Sequence, residues 1–401
     1  MGDLWSHKAL MVFGAVLFAL GRPMFAATGW VHATYGVAGI LTWLSVARLV
    51  DKVTKGFRDT PMKALIAQKA GPNKAAGLAS KAAYQNLANA AGGLAASWLF
   101  AVSGASYTTC FLFAVVPAVA AAVICAALPD PEVHDEPHEA ARDAGGAPAG
   151  GPSGLSPGGY LSRMRSLPPA YWQAAAVFSV LMLARFEASF VNIHIAWTGV
   201  SRTLIPTMVS LNMMVAFLAS KLSGAWVSCG DLHHLSGGEV RREHLRRRGL
   251  ALGVGYVALA GANASFGLLG QQWGMWLGWA LVGAHMGLTH SLIGATLQSY
   301  APPALAGTAF SIFDIVSASF LFAGNLWAGQ LSDLTSAAGH GPVGCFALGF
   351  AAVVASGALL AAAHLFGDMG RPEYVQLGKL KRGGGGGGGG AVPAGGGLKA
   401  S

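Results

Sequence analysis

Six polar side chains stand inside stretches that are otherwise apolar: Arg185, Glu187, His285, His290, Asp314 and Asn325. A charge at bilayer depth costs at least about 2.5–3.5 kcal/mol on insertion scales, so it normally faces a cavity or a partner. Asp314 lies between Ser311 and Ser317, and a carboxylate placed in this way is a candidate proton carrier. Glu187 is the second such acid. Arg185 and Asn192 are seven apart and share a face, while Glu187 and His194 share another, nearly opposite. His285, Thr289 and Thr296 form one polar stripe, and Asp314, Ser317 and Asn325 form a second. Polar stripes on two successive helices are what a central aqueous cavity needs. The structural alternatives are plain. Arg185 and Glu187 suit ion partners on other helices, and His285 and His290 suit packing histidines bonded to carbonyls.

These residues must be carried by ten apolar segments that fill most of the chain. They read as Lys8–Thr28, Val31–Val50, Ala79–Ser103, Tyr107–Leu128, Tyr171–Trp197, Leu204–Cys229, Leu250–Leu269, Gln272–Tyr300, Ala306–Leu331 and Gly341–Phe366. A hydrocarbon core about 30 Å thick needs about 20 apolar residues in a helix. In lipid each backbone polar group must be paired internally, so the segments are helical. Composition agrees: 53 % of residues are hydrophobic and 11 % charged, with 57 glycines suited to close helix packing. The fold class is therefore an all-α, polytopic membrane bundle of about ten spans. Residues 1–129 read as an N-terminal lobe of about four helices, 130–168 as an acidic Pro/Gly-rich linker, 169–370 as a six-helix C-terminal lobe, and 371–401 as a Gly-rich tail.

Charge placement sets the orientation. The connection Arg48–Lys74 is basic, as are Asp231–Arg248 and the tail, and all fall on one side; the other side shows only Arg22 and Arg202. Cytoplasmic connections are the basic ones, so both termini and the linker are expected there. The net charge of +9 is topological, and no aromatic-interleaved basic module points to nucleic acid. Cys110, Cys125, Cys229 and Cys345 form no C-x-x-C pair and read as packing residues. His134 with His138, and His233 with His234, lack a full ligand set, so no metal is expected. Walker, G-x-S-x-G, H-E-x-x-H and dinucleotide patterns are absent from the sequence, which gives an enzyme reading or a cofactor no footing.

Two stretches go further. Arg48–Ala67 reads R-L-V-D-K-V-T-K-G-F-R-D-T-P-M-K-A-L-I-A. Leu281–Asp333 contains G-A-H-M-G-L-T-H-S-L, then P-x-x-L-x-G-T-A-F-S-I-F-D and A-G-Q-L-S-D. The Arg48–Ala67 stretch resembles a segment after the fourth helix in one branch of the major facilitator superfamily. The Leu281–Asp333 stretch resembles the tenth and eleventh helices of that branch, and Leu183–Phe190 is similar to the start of its seventh. Such transporters have twelve helices in two six-helix lobes, so the resemblance implies that the first two are missing and the first lobe incomplete. It also implies a cytoplasmic gating loop holding Arg48, Asp51, Lys55, Gly56 and Arg58. The chain departs from the branch at Thr54, Met62, Lys63, Gly93 and Ala306.

The expected function is transport of a small solute by alternating access, with protons as candidate coupling ions and no cofactor. The alternative is a non-transporting membrane sensor or scaffold derived from a truncated carrier.

Overall fold

The computed structural model describes residues 7–69, 74–104, 106–127, 164–201, 204–227, 236–301 and 306–374. Most of the acidic linker, the His134/His138 and His233/His234 pairs, Cys229 and the Gly-rich tail lie outside the described residues. Among the described residues the secondary structure is helical, without a strand. The helices are α1 (His7–Ala26), α2 (Thr28–Lys69), α3 (Lys74–Val102), α4 (Tyr107–Phe113) and α5 (Val115–Ala127). They continue with α6 (Pro169–Met182), α7 (Ala188–Trp197), α8 (Ile205–Val227), α9 (Gly237–Leu268), α10 (Gln272–Tyr300), α11 (Ala306–Ala337) and α12 (Gly344–Leu365). Among the described residues six helical stretches are long and apolar enough to cross a membrane.

The first hairpin turns later than its sequence suggests. Helical bonding runs straight through Ala27, whose N–H donates to Pro23 O and whose carbonyl accepts from Val31 N–H, both at 3.0 Å. The chain reverses at Gly36, where φ is 63° and ψ is −159°. Only glycine enters that region at little cost. Residues 7–35 and 37–69 then run antiparallel: Trp43 Nε1 donates to Met24 O at 2.7 Å, and Phe13 meets Phe57 edge-on at 5.8 Å.

This shift relocates several charges. Arg22 is fourteen residues from the turn, about 20 Å along the helix, so it is no loop residue. It donates to Asp51 at 3.0 Å across the hairpin. Arg48 and Asp51 likewise sit well inside α2 rather than in a connection, because α2 continues unbroken to Lys69. Lys55 and Gly56 follow on the same helix, and Arg58 lies over the Phe18 ring at 4.7 Å.

Small residues set the remaining packing. α3 lies chiefly along α8: Ala79, Ala83 and Ala90 are buried, and Gly93 leaves room for Ser210. Ser97 and Thr207 meet at 3.3 Å on the same seam. α8 packs on α10 through Gly283 and Gly287, where a Cβ would strike Asn212 O and Ala216 O. α10 packs on α9 through Gly255 and Gly278. Tyr171, Phe178, Leu181, Leu252, Leu297 and Tyr300 fill the core these helices enclose. At one end Arg248, only 1 % exposed, donates to Ser299 Oγ at 2.7 Å and Tyr300 Oη at 2.8 Å. Tyr300 Oη donates in turn to Met369 O at 2.6 Å. One arginine of the basic connection is thus an internal tie and not a surface charge.

Candidate functional site at a broken helix

The segment expected as one helix, Tyr171–Trp197, is two. Helix α6 stops at Met182, and α7 begins at Ala188 with Glu187 as its N-cap in extended conformation, φ −62° and ψ 139°. The broken turn between them carries both charged residues of the segment. A continuous helical wheel therefore does not apply, and the pairings of Arg185 with Asn192 and of Glu187 with His194 dissolve. His194 is buried, stacked on Trp197 and edge-on to Phe346.

Non-helical backbone at membrane depth needs support from neighbours. Gly324 of α11 supplies space, since a Cβ there would lie 2.8 Å from Leu183 O. One residue on, Asn325 Oδ1 accepts from the Glu187 N–H at 2.8 Å, while its Nδ2 donates to Leu321 O. Asn325 thus fixes the start of α7. It lies beyond the midpoint of α11, well away from either end.

Arg185 is half-buried and points to α10, donating to Thr289 Oγ1 at 3.4 Å. Thr289 donates to its own helix at His285 O, 2.8 Å away. His285 is 1 % exposed, and its Nδ1 lies 2.8 Å from Gly255 O on α9. That bond assigns the proton to Nδ1 and leaves Nε2 facing Thr289 at 3.4 Å. His285 accordingly takes the packing role, locking α10 to α9 and orienting the threonine that Arg185 meets.

Glu187 faces the other way. Its carboxylate is 4.0 Å from Arg48 of α2, with both side chains more than half exposed. This is a charge contact between the first hairpin and the broken helix, two elements far apart in sequence.

The structure therefore gathers Arg185, Glu187, His285, Asn325 and Arg48, with Thr289 between two of them. Asp314 and His290 occupy exposed positions of α11 and α10. Ala309, Ile312 and Phe313 occupy the core face of that turn of α11, and Tyr171 Oη donates to Ala309 O at 2.6 Å. Asp314, one residue further, turns away by about 100° and is exposed. It also lies eleven residues from Asn325, about 16 Å along the helix. The expectation of a buried carboxylate beside the cavity stripe is not met. His290 is exposed too, five residues past His285 and rotated by about 140° from it.

A broken helix that offers one cation and one anion, braced by uncharged hydrogen-bonding groups, can hold a polar solute but has no nucleophile–base pair. Among the described residues there is also no group of three or more metal-ligating side chains. Sequence reasoning missed Arg22 as the partner of Asp51, Arg248 as an internal tie, and the break itself. A signal for the break was present in Arg185 and Glu187, two opposite charges only one residue apart in an apolar run.

Known proteins share this architecture. A POT family transporter in complex with a thioalcohol-conjugated peptide superposes with a TM-score of 0.56 at 14 % identity, over 89 % of this chain and 81 % of that one. A mutant of a peptide transporter POT gives 0.53 at 16 % identity over 91 % and 81 %. The fucose:proton symporter FucP of E. coli gives 0.50 at 14 % identity over 88 % and 84 %. At these identities the likeness is one of fold. No curated protein matches the chain. Residues 1–325 match the family model of the Major Facilitator Superfamily. With most of its length matched and its helices arranged as in solved transporters, this multi-pass integral membrane protein belongs to the major facilitator superfamily of secondary transporters.

Proposed function

We propose that the chain moves a small polar organic solute by alternating access, and that the α6–α7 break is where solute is held. In this reading residues 1–129 and 169–370 act as two lobes. The observation that carries it is the broken helix with Arg185 and Glu187 in the gap, since discontinuous helices near the bilayer midplane form solute and ion sites in secondary carriers. Arg185 offers a planar donor fork suited to carboxylates or clustered hydroxyls. The solved relatives are named for fucose with protons and for peptides, so sugars and short peptides are the first solutes to try. Glu187 replaces Asp314 as the first candidate for proton coupling. Its contact with Arg48 is the candidate latch between lobes. Because that pair is long and exposed, it contributes at most about 1 kcal/mol, a bias of about fivefold between two conformations.

The test is uptake of labelled L-fucose and a panel of dipeptides into proteoliposomes holding the full chain, with and without an inward proton gradient. Accumulation of at least one solute is expected, with loss in Arg185→Gln and altered gradient dependence in Glu187→Gln. Equal uptake by wild type and Arg185→Gln would refute the site. Gradient-independent accumulation would remove protons as the coupling ion.

A further inference from the structure

Helix α9 begins well before its apolar part. Between Gly237 and Gly249 it carries five arginines against two glutamates. A capping box orders this extension: Ser236 Oγ accepts from the Glu239 N–H at 3.4 Å, and Glu239 Oε2 accepts from the Ser236 N–H at 2.9 Å. These arginines are therefore displayed on regular helix, at fixed heights relative to the bilayer.

Their partners separate them. Arg248 is consumed by the internal tie to Ser299 and Tyr300. Glu243 takes Arg246 through two bonds of 2.8 Å and Arg247 through one of 3.0 Å. Arg247 also donates to Trp226 O at 3.1 Å. Among the described residues neither Arg241 nor Arg242 forms an ion pair. Among the described residues this end of α9 thus keeps cationic excess after Glu239 and Glu243 are bonded.

Position decides what that excess meets. The outward stripe of α9 runs Arg242, Arg246, Leu250, Val254, Val257, at helical spacing along one face. Leu250, Val254 and Val257 are 47 %, 55 % and 73 % exposed, as expected of residues facing lipid chains. At 1.5 Å per residue, Arg246 lies about 6 Å and Arg242 about 12 Å beyond Leu250. The headgroup region extends roughly 5–8 Å past the hydrocarbon edge. Arg246 therefore stands within the phosphate layer and Arg242 at its outer margin. Trp226, 45 % exposed on the adjacent helix, sits beside them as an interfacial aromatic does.

We propose that the basic end of α9, with Trp226 of α8, is a docking surface for anionic phospholipid headgroups. Arg242 contacts the headgroup charge from the outward stripe, half-buried Arg241 does so from about 100° round the helix, and Arg246 adds its outer edge from one turn below. Guanidinium groups suit this ligand because they meet phosphate oxygens in pairs, and basic clusters just outside a spanning helix attract anionic lipid at roughly fivefold in affinity per cation.

Native mass spectrometry of the full chain in detergent tests this, with phosphatidylserine and phosphatidylcholine titrated separately. Wild type should retain phosphatidylserine preferentially. Arg241→Gln/Arg242→Gln, which leaves every ion pair and the Arg248 tie intact, should bind phosphatidylserine about 30-fold more weakly and phosphatidylcholine equally well. A control with the same charge loss elsewhere, Lys52→Gln/Arg371→Gln, should retain wild-type preference. The proposal fails if the two double variants lose equally, because net charge alone would then explain binding. It fails if wild type shows no preference, and if millimolar inorganic phosphate displaces the lipid, which would mark a site for free anions.

Discussion

Gly287 and Gly253 allow one chemical change to be tested in two settings. At Gly287 on α10 an added Cβ would lie 2.5 Å from Ala216 O, 2.5 Å from Ala219 Cβ and 2.9 Å from Ser220 N. Two of those atoms are backbone of α8 and cannot rotate away, so the helices must part by about 1 Å to reach ordinary contact. Ser223 Oγ also donates to Gly287 O across this seam, at 3.3 Å, and separation weakens that bond. Overpacking of this kind costs about 1–3 kcal/mol. At Gly253 on α9 nothing lies within 4 Å of the added Cβ, so only the helix preference for alanine remains, a gain of up to about 1 kcal/mol. Both changes gain that preference, so the difference between the variants isolates the clash. Using about 2–4 °C per kcal/mol for a sizeable domain, Gly287→Ala should melt about 2–12 °C below Gly253→Ala. The assay is thermal unfolding in detergent, followed by tryptophan fluorescence and by monodispersity after heating. Equal midpoints for the two variants would refute the claim that α8 and α10 touch at backbone distance.

Two further outcomes follow from features elsewhere in the bundle. Arg248→Met should lower stability by on the order of 2–3 kcal/mol, because Ser299 and Tyr300 each lose a charged donor; hydrogen exchange should rise at the ends of α9 and α10, and unchanged protection there would show that the tie is dispensable. Gly36→Ala should cost about 1–3 kcal/mol, because φ 63° with ψ −159° is a region essentially reserved for glycine, while Gly29→Ala, on regular helix with nothing within 4 Å, should not; similar melting of the two variants would contradict a reversal at Gly36.

Helix type and most spans were legible in the sequence because lipid leaves the backbone so few options. Gln272–Tyr300 has the observed limits of α10. The first turn was misplaced because the φ of Gly36 is invisible in a run such as Tyr35-Gly36-Val37, while Pro23 stands near the end of α1 without stopping the helical bonding that passes through Ala27. That error drew Arg22 toward a membrane face and left Asp51 just beyond the end of its helix. Composition also could not separate Arg248 from its neighbours, since inward or outward orientation depends on where Ser299 and Tyr300 arrive from another helix. Among the candidate residues, Arg185, Glu187 and Asn325 were found by their polarity, but their meeting depended on a break that helical periodicity assumes away. The exposure of Asp314 was equally out of reach: an apolar sequence around an acid does not establish which way the acid faces.

The two halves of the broken helix have an electrostatic consequence. The peptide dipoles of α6 sum to a partial negative charge at its C-terminal end, and those of α7 to a partial positive charge at its N-terminal end, each about half a unit. Arg185 follows the first end, and Glu187 occupies the N-cap position of the second without a side-chain capping bond. Each ionised side chain therefore meets a backbone field of opposite sign, worth about 0.3–1 kcal/mol near the surface and more where partly buried. The gap is compensated by the chain's own peptide groups, before any solute or distant residue contributes. Removing either charge forfeits only its own share of that compensation, so a neutralised break should still insert and fold, and its defect should be read in solute movement and not in assembly.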